Sequence, residues 1–191
     1  MSTIRPMRPA DLFLISSTNL DHLTETYNIG FYLEYLTKWP DLCRVIEGVD
    51  GKIEGYILGK LESSPYPSPV TPWTPSTNPD PNYLPWHGHI TALTVIPSAR
   101  RLGHATRLSS SLEQQSDANN AWFVDLFVRA SNEIGKELYR KMGYSVYRTI
   151  ENYYNDGEDA YDMRKPLSRD KKRECVREGG ENIRVDPNDV W

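Results

Sequence analysis

Apolar and polar positions change period several times along the chain, and each change marks an element. Ile90, Thr91, Leu93, Thr94, Val95 and Ile96 form a β-branched, near-alternating run that predicts a strand, ended by Pro97 because proline cannot donate to a ladder. Beyond it Leu102, Ala105, Leu108 and Leu112 share one helical face, so a tight turn at Gly103 and Ala105 leads from strand into helix. Upstream, Ile4 lies in a short extended opening, and residues 11–19 predict a helix with Pro9 near its first turn. Residues 20–30 are a polar turn. Residues 31–39 predict an aromatic helix with Phe31 and Tyr35, and Tyr32 and Leu36, four apart. Apolar groups surround most of that helix, so it should be well buried until Pro40 closes it. Residues 42–61 predict a hairpin around Asp50-Gly51.

Downstream, residues 121–128 are a nearly continuous apolar strand, covered on both faces. Asp125 interrupts it and reads as a hydrogen-bonded structural carboxylate. Ser131-Asn132 caps the next helix, whose buried stripe is Ile134, Leu138 and Met142, with Gly143 just past its end. Residues 144–154 and 160–167 predict two more strands about an Asn155-Asp156-Gly157 turn. Residues 63–85 hold eight of the fourteen prolines, a density that forbids a regular helix or central strand. They read as an irregular, partly extended surface loop, or as a proline-rich ligand for another domain. After Leu167 the chain is charged and poor in apolar residues. This suits a mobile tail or a segment that orders on a partner, and Ile183, Val185, Val190 and Trp191 leave room for the second. The organisation expected is one domain over 1–167, with the proline-rich insertion at 63–85 and a polar tail at 168–191. The fold class is α/β (α+β), a mixed central sheet flanked by helices.

Composition narrows the function. A chain of 191 residues, 38% apolar and 25% charged, suits a soluble protein with a substantial core. The net charge of −4 argues against a nucleic-acid groove but allows a local basic patch. Cys43 and Cys175 lack C-x-x-C spacing, so neither a disulfide framework nor a zinc site is expected, and Cys43 reads as a small buried hydrophobe. Four histidines without an H-x-x-x-H helix give no metal site, and His22 and His87 read as structural or surface residues. The N-terminus has no apolar targeting core and no window approaches eighteen apolar residues, so a cytoplasmic location without membrane contact is expected.

The strand–turn–helix at 89–111 has a chemical use. The first N–H groups of a helix lack internal partners and, with the helix dipole, favour an anion. Gly103 permits close approach to the backbone, Ala105 keeps the next position small, and Arg100 and Arg101 add charge suited to phosphate. The pattern is neither a Walker loop nor a dinucleotide turn. R-x-x-G-x-A after a strand resembles the acetyl-CoA signature of the GNAT acetyltransferases, and the element order resembles their whole fold. Asn132 and Tyr139, seven residues apart on one helix, match a second feature of that family. The resemblance implies an asparagine beside the pantetheine arm and a tyrosine facing the CoA sulfur, so Tyr139 is the candidate general acid.

Four longer segments, L-T-E-T-Y-N-I-G-F-Y-L-E-Y-L-T-K-W-P, W-H-G-H-I-T-A-L-T-V, W-F-V-D-L-F-V-R-A-S-N and Y-S-V-Y-R-T-I-E-N-Y-Y, resemble the catalytic subunits of NatB-type N-terminal acetyltransferases, in their fungal form. The resemblance implies that Val95, Arg100, Arg101, Gly103, Ala105, Thr106, Asn132 and Tyr139 hold acetyl-CoA. It implies that Glu25, Tyr27, Tyr153 and Tyr154 line the peptide entrance, and that His89 and Thr91 contact the substrate's second side chain. The implied substrates are the α-amines of chains beginning Met-Asp, Met-Glu, Met-Asn or Met-Gln. The implied partners are a large helical-repeat auxiliary subunit, nascent N-termini and, through the auxiliary subunit, the ribosome. His89, Thr91, Leu93 and Val95 alternate on one strand face, and a histidine and a hydroxyl offer donors to a carboxylate or amide. His89, or a tyrosine acting through water, would accept the amine proton, backbone N–H groups near Val95 would stabilise developing negative charge, and no covalent acetyl-enzyme is expected. Two rivals stay open: an acetyltransferase for lysine side chains or small amines, and a catalytically silent binding subunit of the same fold.

Overall fold

A computed structural model describes residues 2–20, 24–80 and 82–190. The chain divides into two compact units, Met1–Lys60 with Ile90–Gln115, and Leu61–His89 with Ser116–Trp191. Among the described residues are eight strands and three α-helices, the α+β composition expected.

The first unit carries β1 (Thr3–Pro6), α1 (Ile29–Lys38), β2 (Arg44–Glu47) and most of β3 (Ile53–Glu62) and β4 (His87–Val95). β1 pairs antiparallel with β2 and β2 with β3, the hairpin that Asp50-Gly51 announced. Their inner faces and α1 enclose a core of Met7, Ile15, Tyr32, Tyr35, Cys43, Val45, Ile53, Tyr56 and Leu58. α1 starts where the Asn28 side chain accepts from the Phe31 N–H at 3.0 Å. It is buried on one face rather than all round, through Tyr32 and Tyr35, while Ile29 and Leu33 stay exposed. Its aromatic residues form a column at four-residue spacing: Tyr27–Phe31 at 4.1 Å, Phe31–Tyr35 at 4.7 Å and Tyr35–Trp39 at 5.1 Å.

Residues 11–19 do not make the α-helix expected. Two 3₁₀ segments, Pro9–Phe13 and Ile15–Leu20, replace it. Polar side chains there bond locally or across the unit instead of leaving the backbone to a longer ladder. Asp11 accepts from the Arg8 N–H and pairs with Arg5, Thr18 donates to the Ile15 carbonyl, and Asn19 accepts from the Tyr56 hydroxyl. α2 (His104–Ala118) starts after Gly103, so Leu102 lies outside the helix and is exposed, while Leu108 and Leu112 are fully buried.

The second unit holds β5 (Phe123–Arg129), α3 (Glu133–Lys141), β6 (Ser145–Ile150), β7 (Ala160–Pro166) and β8 (Arg184–Val185), in the sheet order β5-β7-β6-β8. β7 lies antiparallel to β5 and β6, and β8 lies parallel to β6, which makes the sheet mixed. The stripe expected on α3 is displaced. Asn132 caps the helix through its side chain at the Gly135 N–H, and with that phase Ile134 is 81% exposed while Lys136 turns inward, paired with Glu133 and set over Tyr161. Residues 63–85 are irregular apart from a 3₁₀ turn at Pro75–Thr77, with Pro81 outside the described residues.

The stretch after Leu167 packs back on the second unit. Asp170 accepts the Glu174 and Cys175 N–H groups, Cys175 and Val190 are buried, and Val190 joins Ile150 and Ala160 in a small core. Thr149 and Glu151 donate their N–H groups to the Ile183 and Val185 carbonyls at 2.8 and 3.0 Å. Gly180 lies so close to β6 that an added Cβ would meet the Val146 carbonyl oxygen at 2.1 Å. Trp191 and His22 lie outside the described residues. Among those described, no helix is long and apolar enough to cross a membrane.

Candidate active site

In the first unit the turn between β4 and α2 is built from backbone. The Ile96 N–H donates to the Glu54 carbonyl at 2.9 Å, Pro97–Ala99 make one 3₁₀ turn, and the Arg100 Nε donates to the Val95 carbonyl at 3.2 Å. Arg101 and Gly103 have φ of 62° and 80°, left-handed values that aim the chain into the helix. His104, buried at the first helical position, bonds to Glu54 through Nε2 at 2.9 Å and ties the turn to β3. An added Cβ at Gly103 would meet nothing within 4 Å, so the glycine is needed for its conformation and for room on its outer side. Ala105 and Thr106 follow in the first turn of a fifteen-residue helix, whose leading N–H groups lack internal acceptors. Val95, Arg100, Arg101, Gly103, Ala105 and Thr106 are thus brought together around the start of α2, where the leading N–H groups favour an anion.

The same unit holds Glu25, which is exposed, and Tyr27, stacked on Phe31. Thr91, on the β4 face, shares a hydrogen bond of 2.9 Å with the buried Tyr35 hydroxyl.

The second unit contains a buried polar group centred on Asp125. His89 Nδ1 lies 2.8 Å from Asp125 Oδ1. His87 Nε2 lies 3.7 Å from Asp125 Oδ2 and 3.9 Å from Glu62 Oε1, too far for a hydrogen bond. His87 donates its Nδ1–H to the Pro85 carbonyl at 2.7 Å and stacks on Phe123, so it is structural, and burial pushes its pKa down. For Asp125, burial favours the neutral acid, but His87, His89 and the Arg164 guanidinium outweigh it and hold the carboxyl below its usual range.

From His89 a run of ring contacts reaches the β6–β7 loop. His89 meets Phe127 at 5.1 Å, Phe127 meets Tyr153 at 5.1 Å, and Tyr153 meets Tyr154 at 5.2 Å. The Arg129 guanidinium lies 3.9 Å from the Tyr154 ring centre and bonds to Asp156 and Glu158. The expected residues His89, Tyr153 and Tyr154 are therefore linked, through a phenylalanine and an arginine that sequence reasoning left unassigned. The signal was present: Asp125, Phe127 and Arg129 alternate along β5 and so share a face.

Tyr139 lies on α3 and Asn132 caps it, with the Asn132 Oδ1 engaged by the Gly135 N–H. The Tyr139 ring meets Tyr144 edge-on at 5.7 Å, and burial raises its hydroxyl pKa, which keeps the proton on oxygen. Both cysteines are buried, and burial pushes the Cys43 thiol up to about 11 and Cys175 higher still. Among the described residues no cluster of three or more His, Cys, Asp or Glu stands ready to hold a metal ion.

Comparison with known proteins bears on this geometry. Residues 13–144 match the model of the Acetyltransferase (GNAT) family. The N-terminal acetyltransferase B complex catalytic subunit naa20 of Schizosaccharomyces pombe is 46% identical over 196 residues, spanning 100% of this chain and 99% of that protein. The crystal structure of Chaetomium thermophilum Naa20 in complex with a bisubstrate analogue superposes with a TM-score of 0.91 at 52% identity, covering 99% of each chain. A NatB acetyltransferase complex bound to CoA and MES superposes with a TM-score of 0.71 at 38% identity, over 86% of this chain and 99% of that one. The chain belongs to the GNAT acetyltransferases and, among them, to the catalytic subunits of NatB-type N-terminal acetyltransferase complexes.

Proposed function

We propose that the chain transfers an acetyl group from acetyl-CoA to the N-terminal α-amine of proteins beginning Met-Asp, Met-Glu, Met-Asn or Met-Gln. It does so as the catalytic subunit of a NatB-type complex with a large helical-repeat auxiliary subunit, in the cytoplasm and at the ribosome. The observation that carries the reading is the left-handed Gly103 set directly before α2, with open space on its outer side. Acetyl-CoA supplies the activated acyl thioester. The first turn of α2 holds its pyrophosphate, Arg100 and Arg101 add positive charge, and Asn132 and Tyr139 take the pantetheine and sulfur end.

An α-amine with an ordinary pKa near 8 is largely protonated at neutral pH and must lose that proton before it attacks. His89 Nε2 accepts the proton, and the Tyr139 hydroxyl, kept protonated by burial, returns one to the departing thiolate. The attacking nitrogen bonds to the acetyl carbon as the carbon–sulfur bond breaks, and the second proton it sheds restores the one Tyr139 gave, leaving a neutral amide and free CoA. The raised cysteine thiols suit direct transfer without an acetyl-enzyme. Glu25, Tyr27, Tyr153 and Tyr154 receive the methionine, and Thr91 meets the second side chain.

Four peptides test this with and without the auxiliary subunit: Met-Asp, Met-Glu, Ser-Ala and an N-blocked peptide with an internal lysine. Transfer to the first two alone is expected. Transfer to the lysine peptide would keep the cofactor and overturn the peptide roles, and no transfer despite CoA binding would make the chain a silent binding subunit.

A further inference from the structure

Asp125 was left with a structural role by its place in an apolar strand, yet its surroundings are those of a group that acts on a neighbour. It is 1% exposed, at the centre of β5. Charged and titratable groups face it from three elements. His87 and His89 come from β4, and Arg164 comes from β7, where it is the register partner of Asp125. Glu62 of β3 lies beyond His87. Arg164 is itself committed to Asp162, which also binds Arg148, so the guanidinium supports the Asp125 charge from a distance.

The two histidines differ in what they offer. The Nδ1 proton of His87 is fixed on the Pro85 carbonyl, and its Nε2 falls short of hydrogen-bond distance to Asp125. The short contact of Asp125 is the one to His89 Nδ1, at 2.8 Å. An ionised carboxylate can only accept, so His89 must donate through Nδ1. In a neutral imidazole that leaves the lone pair on Nε2. Phe127, edge-on to the same ring, restricts its swing.

We infer that Asp125 is a positioning residue for acetyl transfer: it fixes the Nδ1–H tautomer of His89 and stabilises the imidazolium formed when Nε2 takes the proton of the substrate's α-amine. The step balances. One amine proton moves to Nε2, the nitrogen lone pair attacks, the second nitrogen proton replaces the one Tyr139 gives to the thiolate, and the first leaves His89 for solvent before the next turnover, while Asp125 stays ionised throughout. This inference rests on the proposed acetyl transfer and adds the group that makes His89 a base.

The test is a double-mutant cycle on the complex with the auxiliary subunit, with the Met-Asp peptide and acetyl-CoA varied in turn across pH. Asp125→Asn keeps size and removes charge. Its kcat should fall about 10²-fold, the order of a general-base contribution. The acid limb of its kcat/KM profile should move to lower pH, because the charge that favoured the imidazolium is gone, and its KM for acetyl-CoA should not change. In a His89→Gln background the same substitution should cost less than about threefold more, because Asp125 acts through His89. A wild-type acid limb in Asp125→Asn, or losses that multiply in the double variant, would overturn the inference. If Asp125→Asn does not fold, ¹⁵N spectra of the wild-type chain's histidines decide the matter: protonated Nδ1 on neutral His89 supports it, and protonated Nε2 refutes it. A wild-type complex inactive on every peptide would sink the acetyl-transfer reading instead, with the tautomer read separately.

Discussion

Between Ile96 and Thr106 the groups proposed to meet a ligand are backbone N–H groups, set by two left-handed residues and the start of a helix. Around His89 they are side chains, and the key contact joins residues 36 apart in sequence. The turn is a surface device: Arg100, Arg101, Leu102 and Gly103 are all exposed. The His89 group is enclosed, with His87, His89 and Asp125 buried together. A backbone cradle can fail to bind without the fold suffering. A buried polar group cannot lose a member without leaving another unpaired, and that costs stability as well as activity.

The largest effect should come from Asp125→Ala, which strips the partner from the buried His89 Nδ1–H. We expect a loss of about 3–5 kcal/mol in unfolding free energy, read by chemical denaturation. A loss below about 1 kcal/mol would show that the cluster is wetter than its burial indicates.

Acid should find the same group through His87. Burial depresses its pKa, so below the ordinary value of about 6.5 the unfolded chain binds a proton that the folded ring refuses. Its contribution therefore lowers stability as pH falls through about 6.5, by up to about 1.4 kcal/mol per pH unit. Asp125 acts in the same direction, in a lower pH window. Its depressed carboxyl contributes fully above its unfolded value near 3.9 and gives way only at lower pH. Denaturation midpoints at pH 7.5, 6.5 and 5.5 should show the slope, and His87→Gln should flatten it.

The turn should behave otherwise. Gly103→Val forces a β-branched residue into a left-handed conformation at a cost of about 1–2 kcal/mol. Calorimetric titration should show CoA affinity down roughly 5–30-fold, with the melting temperature moved little. A melting temperature that falls as far as for Asp125→Ala would erase the distinction between the two regions. The smallest effect belongs to Tyr35→Phe, which removes the hydroxyl that holds Thr91. One hydrogen bond is worth about 1 kcal/mol, so the peptide KM should rise about fivefold, with acetyl-CoA kinetics unchanged.

The same contrast explains what the sequence disclosed. R-R-L-G-H-A is legible because a backbone site needs particular residues at consecutive positions, and Gly103 stands where the left-handed turn requires it. The strands and hairpin were legible for the same local reason. Asp125 was not, because its partner comes from another strand and no local pattern links them. The α3 stripe failed on phase: Ile134, Leu138 and Met142 fit a helical period, but the Asn132 cap turns Lys136 inward. The C-terminal stretch failed on composition, because two buried apolar side chains, Cys175 and Val190, and one carboxylate, Asp170, anchor a segment whose average is polar.

That C-terminal stretch has a consequence for solubility. β6 lies between β7 and β8, and β8 is only two residues long. Stripped of it, β6 would show an open row of N–H and C=O groups, a template for strand addition by another molecule. The guard depends on Gly180, which passes within contact of the Val146 and Tyr147 backbone, where any larger residue would hold the segment away. A single proteolytic cut between Leu167 and Gly180 would loosen that cover and leave β6 open to strand addition by another molecule. Resistance to aggregation is thus vested in the least apolar part of the chain.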